Sequence, residues 1–240
     1  MVSLIQKEKP EGAVHITLRF LLEKRGALAY ISHLDVLRTM IKALKRADLP
    51  LYYSEGFSPH PKLVFATPLS LGQESVCEYL DVRLAKEYEP AAAMAALNAT
   101  LPEGIRIMAA GYPAVKFAAI ARSTYEITLR TAGADEALAA RCAALLTSRP
   151  LIVFKRSKAG DRDTDISGSI LSAEASFQNG EIKLLVTLSA EGSAFLNPDY
   201  LITALRRDLG ILSGDPMTEF CRILRVSLAD ESGEIFDCEV

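Results

Sequence analysis

Val14-His15-Ile16-Thr17-Leu18-Arg19-Phe20-Leu21-Leu22 sets apolar Val14, Ile16, Leu18, Phe20 and Leu22 against His15, Thr17, Arg19 and Leu21. That period-2 pattern predicts a strand with one buried face. Lys24-Arg25-Gly26 predicts a turn, after which Ser32-His33-Leu34-Asp35-Val36-Leu37-Arg38 opens a helix. Ser32 is a suitable N-cap with Asp35 three residues on, and Leu34, Leu37, Ile41 and Leu44 recur at helical spacing until Asp48-Leu49-Pro50 stops the helix.

Beyond the helix, a short strand is expected at Leu51 to Tyr53, then the loop 54–62 and apolar Leu63 to Ala66. A strand at Cys77 to Leu84, a helix from Pro90 to about Ala99, and a strand at Gly104 to Ala110 follow. The order is β-α-β-β-α-β, that of a ferredoxin-like unit with two helices on one face of an antiparallel sheet. The second half repeats it: strand Thr124 to Arg130, helix Ala134 to Thr147, strand Leu151 to Arg156, strands near Leu171 to Phe177 and Glu181 to Ser189, helix Asn197 to Gly210, and strand Cys221 to Leu228. Asn179-Gly180 predicts a tight hairpin. The fold class read from this is α+β, two tandem ferredoxin-like units with antiparallel sheets, over residues 1–112 and 122–240, the second unit carrying an extra hairpin strand.

Half of the 240 residues are hydrophobic and 24% are charged, which describes a globular chain and excludes disorder, collagen-like repeats and a disulfide miniprotein. No apolar run approaches the ~20 residues that span a bilayer, and Lys7, Glu8, Lys9 and Glu11 stand where a signal peptide needs apolar residues. A cytoplasmic protein with no membrane partner is expected. Cys77, Cys142, Cys221 and Cys238 are too scattered for a zinc knuckle, a thioredoxin motif or an iron-sulfur site, so buried or idle thiols are expected. Residues 1–116 hold 14 Lys+Arg against 12 Asp+Glu, and 117–240 hold 13 against 18, for a net charge of −3. Nucleic-acid binding would therefore depend on local patches.

The most unusual segment is Tyr53-Ser54-Glu55-Gly56-Phe57-Ser58-Pro59-His60-Pro61-Lys62, where two prolines and a glycine fix an irregular loop around His60. If Leu51 to Tyr53 is the second strand, this loop is a hairpin tip at the same end as the amino terminus of the first helix. Free N–H groups and the helix dipole there favour an anion. The expected binding set is then Ser32, His33, Asp35, Arg38, Tyr53, Ser54, Gly56, Phe57, Ser58, His60 and Lys62, of which Ser32, His33, Gly56, Phe57, His60 and Lys62 are expected to converge on one concave end. A second basic run, Lys155, Arg156 and Lys158, sits on the corresponding loop of the second half. The same residues also admit a structural reading: Ser32 and Asp35 form a capping box, the prolines shape a tight turn, and the lysines are solvated.

Histidines can move protons near neutral pH, so His33 and His60 are the candidates for acid–base work. A His/His/Asp metal set is disfavoured, because His33 and Asp35 diverge by about 200° around a helix. No phosphate loop, dinucleotide fingerprint or nucleophile elbow is present, and no metal or cofactor is expected. The open face of the first sheet is expected to show His15, Thr17, Arg19, Tyr79, Asp81, Arg83 and Arg106, with too few aromatics for a base-stacking platform.

Five motifs carry a resemblance. They are Tyr30-Ile31-Ser32-His33-Leu34-Asp35-Val36-Leu37-Arg38, Ala47-Asp48-Leu49-Pro50-Leu51, Tyr53 through Lys62, Pro68-Leu69-Ser70-Leu71-Gly72, and Glu78-Tyr79-Leu80-Asp81. With them the chain resembles an uncharacterised bacterial radical-SAM-linked family. Its members occur beside a gene for a B12-binding-type radical-SAM protein, or fused to the carboxyl end of one, often near genes for ribonuclease G and ribosomal proteins. The family tends to show Asp-Ile-Arg-Pro where this chain has Asp165-Ile166-Ser167-Gly168, so the arginine that could contact an anion there is missing. The resemblance implies a radical-SAM enzyme as partner. Lacking that enzyme's cluster cysteines, the chain itself is expected to be a non-catalytic accessory that recognises RNA (rRNA or tRNA) or a ribosome-associated protein. The rival expectation is a metal-independent RNA endonuclease, or another hydrolase, using His33 and His60.

Overall fold

Ser32 starts the first helix as its sequence requires: in extended conformation, its Oγ accepts the Asp35 N–H at 3.2 Å. The computed structural model describes residues 15–155 and 160–236. Its first half runs β1 (Ile16–Lys24), α1 (His33–Arg46), β2 (Leu63–Phe65), β3 (Gln73–Leu84), α2 (Pro90–Asn98) and β4 (Ile105–Gly111). Strands lie side by side as β4-β1-β3-β2, every neighbour antiparallel. Leu18, Phe20 and Leu22 of β1 with Leu80, Val82 and Leu84 of β3 face Val36, Met40 and Leu44 of α1 and Leu97 of α2, all buried.

The second half runs β5 (Arg122–Arg130), α3 (Glu136–Thr147), β6 (Ile152–Lys155), β7 (Arg162–Asp165), β8 (Ile170–Gln178), β9 (Glu181–Ser189), α4 (Asp199–Leu209) and β10 (Phe220–Ala229). Its order β10-β5-β9-β8 repeats the relative order of the first half, while β6 and β7 form a separate hairpin. Ile127 and Leu129 of β5 and Leu184 and Val186 of β9 pack with Cys142 of α3 and Leu201 and Leu205 of α4. Asn179 and Gly180 both take positive φ, 53° and 79°, as a two-residue hairpin turn demands.

Separate sheets were expected for the two halves, and here the structure differs. Strand β3 has 12 residues but β2 only three, so β2 covers just Leu80 to Val82 on that edge. The exposed backbone groups further along need partners. Strand β10 supplies them, pairing in parallel through Ile223↔Gln73, Leu224↔Glu74 and Arg225↔Ser75. The described residues thus form a mixed α+β fold with one large, mostly antiparallel sheet of eight strands and four α-helices. No helix among them is long and apolar enough to cross a membrane.

Two further expectations change. Leu51 to Tyr53 is not a strand; Leu51 and Tyr53 make only isolated bridges, to Leu84 and Pro61. The 54–62 loop therefore joins α1 to β2. The far face of the first half is also less open than its alternation suggests. Arg19 and Tyr79 are 2% and 3% exposed, because the 112–121 connection and the segment ending at Phe236 cross that face. Arg19 makes two hydrogen bonds to Asp81, at 2.7 and 2.9 Å, donates to the Val115 carbonyl, and lies over the ring of Phe117.

Candidate functional site

The Ser54 to Lys62 loop is closed on itself. Ser54 Oγ accepts the His60 N–H at 3.1 Å and lies 2.9 Å from His60 Nδ1, while the Ser54 N–H donates to the His60 carbonyl. The Ser58 carbonyl also lies 3.3 Å from Nδ1. Between the clasped ends, Gly56 adopts φ 118°, a conformation that favours glycine, and Phe57 stands fully exposed. Behind the loop, Tyr52 stacks on His15 with ring centroids 5.0 Å apart, and the Lys62 ammonium sits 5.6 Å from the Tyr52 ring. Lys45, near the end of α1, approaches Tyr53 in the same way.

Beside the loop is a shallow hollow of about 200 Å³ lined by Thr17, His60, Lys62, Val64, Asp81 and Arg83. Asp81 is neutralised by Arg19. Lys62 and Arg83 have no ion-pair partner among the described residues. The hollow is thus lined by two unpaired cations and an exposed imidazole, an arrangement that favours an anionic ligand.

His33 does not share this site. Its ring meets Phe65 edge-on at 5.3 Å and lines a small cavity with Leu22, Lys24, Val36 and Glu78, on the helix-covered face. Helix α1, 14 residues and about 21 Å long, runs from His33 to the level of Tyr53. The expected convergence of Ser32 and His33 with Gly56, Phe57, His60 and Lys62 is therefore corrected. It followed from placing the loop after a strand at Leu51 to Tyr53, whereas the loop follows the end of α1. Ser32, Asp35 and Arg38 form a local chain: Ser32 Oγ donates to Asp35 at 2.7 Å, and Arg38 pairs with Asp35 at 3.0 Å. The Ser32 hydroxyl, then Arg38, hold the Asp35 carboxyl below its ordinary range.

In the second basic run, the Lys155 ammonium lies 5.3 Å from the ring of Tyr200 on α4, and burial lowers its pKa. Arg156 and Lys158 lie outside the described residues. Asp165 of the Asp-Ile-Ser-Gly stretch accepts the N–H groups of Leu151 and Ser167, at 3.0 and 2.9 Å, so it fixes a turn. Burial pushes the Cys77, Cys142 and Cys221 thiols up to about 11, which leaves them protonated and unreactive. Among the described residues, no group of three or more His, Cys, Asp and Glu side chains is placed to hold a metal ion.

Sequence reading missed a polar cluster where the halves meet. Lys24, Glu78 and Arg225 are 4%, 5% and 1% exposed. Arg225 donates to Glu78 and to the Thr67 carbonyl. Lys24 precedes Arg25-Gly26, which reads as a solvated turn, but it is the last residue of β1, and the alternation of Leu18, Phe20 and Leu22 carries it onto the helix-covered face at this cavity.

The family described as an uncharacterized protein conserved in bacteria (DUF2344) matches residues 17–198. The chain belongs to this family. The match takes in both the Ser54 to Lys62 loop and the Lys24–Glu78 cluster of this DUF2344 protein. No curated protein matches it. Among solved structures it is similar to a chain of a Cbf5-Nop10-Gar1 complex, at 13% identity and a TM-score of 0.47 over 89% of this chain and 50% of that one. The DUF2344 chain thus spans about half the length of that neighbour. An unknown protein from Galdieria sulphuraria, 13% identical, matches with a TM-score of 0.26 over 88% and 99% of the two chains. DyPB from Rhodococcus jostii, 9% identical, matches with 0.21 over 93% and 96%. These scores are too low to bear on function.

Proposed function

We propose that this protein is a non-catalytic recognition module that works with a radical-SAM enzyme, of the B12-binding type its motifs resemble, and presents RNA to it. The carrying observation is the clasped Ser54 to Lys62 loop, which holds Phe57 in solvent next to a hollow lined by Lys62, Arg83 and His60. An exposed ring can stack on a base, and the adjacent cations can meet phosphates. A ribosome-associated protein is the alternative ligand. We read each half as a ferredoxin-like unit, on the support of the repeated orders β4-β1-β3-β2 and β10-β5-β9-β8.

We favour recognition over the alternative of a hydrolase using His33 and His60, on the support that the two histidines line different cavities on opposite faces of the sheet, whereas an acid and a base must reach one reacting group. Affinity purification of the tagged protein from its own cells tests the partnership. A radical-SAM protein should co-purify and carry nuclease-sensitive RNA with it. Recovery of the protein without any radical-SAM enzyme overturns the partnership, and a partner recovered with no RNA overturns RNA as the ligand.

A further inference from the structure

We propose that the cavity under the amino end of α1 is an oxyanion site built on Lys24, which takes one oxygen of a phosphate or carboxylate group. It lies on the opposite sheet face from the Ser54 to Lys62 loop and does not depend on the function proposed for that loop.

Lys24 is 4% exposed, yet among the described residues its ammonium has no hydrogen-bond or ion-pair partner. It lines a cavity of about 10 Å³, room for the centre of one oxygen-sized atom, together with His33, Glu78 and apolar side chains. An ammonium with no partner in such surroundings is costly unless an anion reaches it.

Glu78 and Glu74 lie close enough to act on Lys24, but Glu78 is engaged by Arg225 and Glu74 by Arg222, so neither forms an ion pair with it. Nearby, Arg225 Nε and Thr67 Oγ1 are also buried without a hydrogen-bond partner. At the start of α1, Ser32 Oγ accepts the Asp35 N–H and donates to the Asp35 carboxylate, while the N–H groups of His33 and Leu34 have no acceptor among the described residues. A charged oxygen entering here would meet the Lys24 side chain beside His33, the first residue of α1. The small volume excludes the rest of the ligand, which must stay outside.

The test uses the full chain at fixed pH and ionic strength. Thermal unfolding is followed against inorganic phosphate in one arm and acetate in the other, with chloride as the balancing salt. A ligand of this site should raise the wild-type midpoint saturably, by a few degrees at a hundredfold excess over its Kd. Lys24→Met keeps the length of the side chain without its charge and should abolish the rise. A rise with phosphate alone assigns a phosphate group, and a rise with acetate assigns a carboxylate. No rise with either anion, or an equal rise in Lys24→Met, overturns the site. A second measurement is independent of how the variant folds. Wild-type crystals grown in the stabilising anion should place one of its oxygens about 3 Å from Lys24 Nζ, and water alone at that position also overturns the proposal.

Discussion

Arg225 of β10 and Glu78 of β3 form an ion pair across the parallel seam between the two halves, and both residues are almost wholly buried. Burial works against the guanidinium charge, but the Glu78 carboxylate, together with Tyr125 and Cys77, favours it, and the Arg225 pKa is raised. Removing one partner strands the other charge. Arg225→Met should therefore destabilise the chain by about 3–5 kcal/mol in urea unfolding, and the double variant Arg225→Met/Glu78→Leu should recover most of that loss. A double variant no more stable than the single one would mean that the pair itself is not what the seam requires.

The loop clasp makes a different prediction. Ser54→Ala removes the hydroxyl that accepts the His60 N–H and neighbours Nδ1. Because the loop is exposed, stability should change by less than about 1 kcal/mol. Exchange of the His60 amide with solvent should accelerate at least tenfold, as read by hydrogen-exchange NMR. Unchanged exchange would show that the prolines alone fix the loop.

Much of this was legible in the sequence. Ser32 as a cap, Asn179-Gly180 as a hairpin and Gly210 as a helix stop each express a local rule, and Gly210 does take φ 67°. What escaped depends on distant partners. Gln73-Glu74-Ser75 is polar and does not look like interior strand; it is extended because β10 lies beside it. Arg162-Asp163-Thr164-Asp165 looks like loop and becomes a strand only against β6. For the site, the clasped loop was recognisable from its prolines, glycine and histidine. Its position was not, since that turned on whether Leu51 to Tyr53 pairs as a strand. Lys24 continues the alternation of Leu18, Phe20 and Leu22 onto the buried face, but its charge and the following Arg25-Gly26 read as the turn that ends the strand.

Asp165 gives a pH prediction. Hydrogen bonds from Ser167, then Leu151, hold its pKa below the ordinary 3.8. A carboxylate with a lowered folded pKa contributes stability above its unfolded value and loses that contribution as pH falls through the folded one. Asp165→Asn should therefore be less stable than wild type at pH 7, with the two unfolding curves converging below about pH 3.8. A gap that persists in acid would point to packing instead of charge.

The thiols should be silent in the folded chain. With pKa values near 11, Cys77, Cys142 and Cys221 carry little thiolate at pH 8. Labelling with a disulfide reagent, located by peptide mass spectrometry, should reach these three only after unfolding in urea. Rapid labelling of Cys77 in the native protein would contradict its burial.

Recognition without catalysis is tested most directly by incubating end-labelled cellular RNA with wild type and Phe57→Ala in EDTA, across a range of salt concentrations. The same samples are read for mobility shift and for cleavage. The wild type should bind with an affinity that falls as salt rises, Phe57→Ala should bind about 5- to 150-fold more weakly, matching the ~1–3 kcal/mol of one base–aromatic stack, and neither should cut the RNA. Cleavage by the wild type that is lost in His60→Ala, or no binding at any salt concentration, would contradict the account.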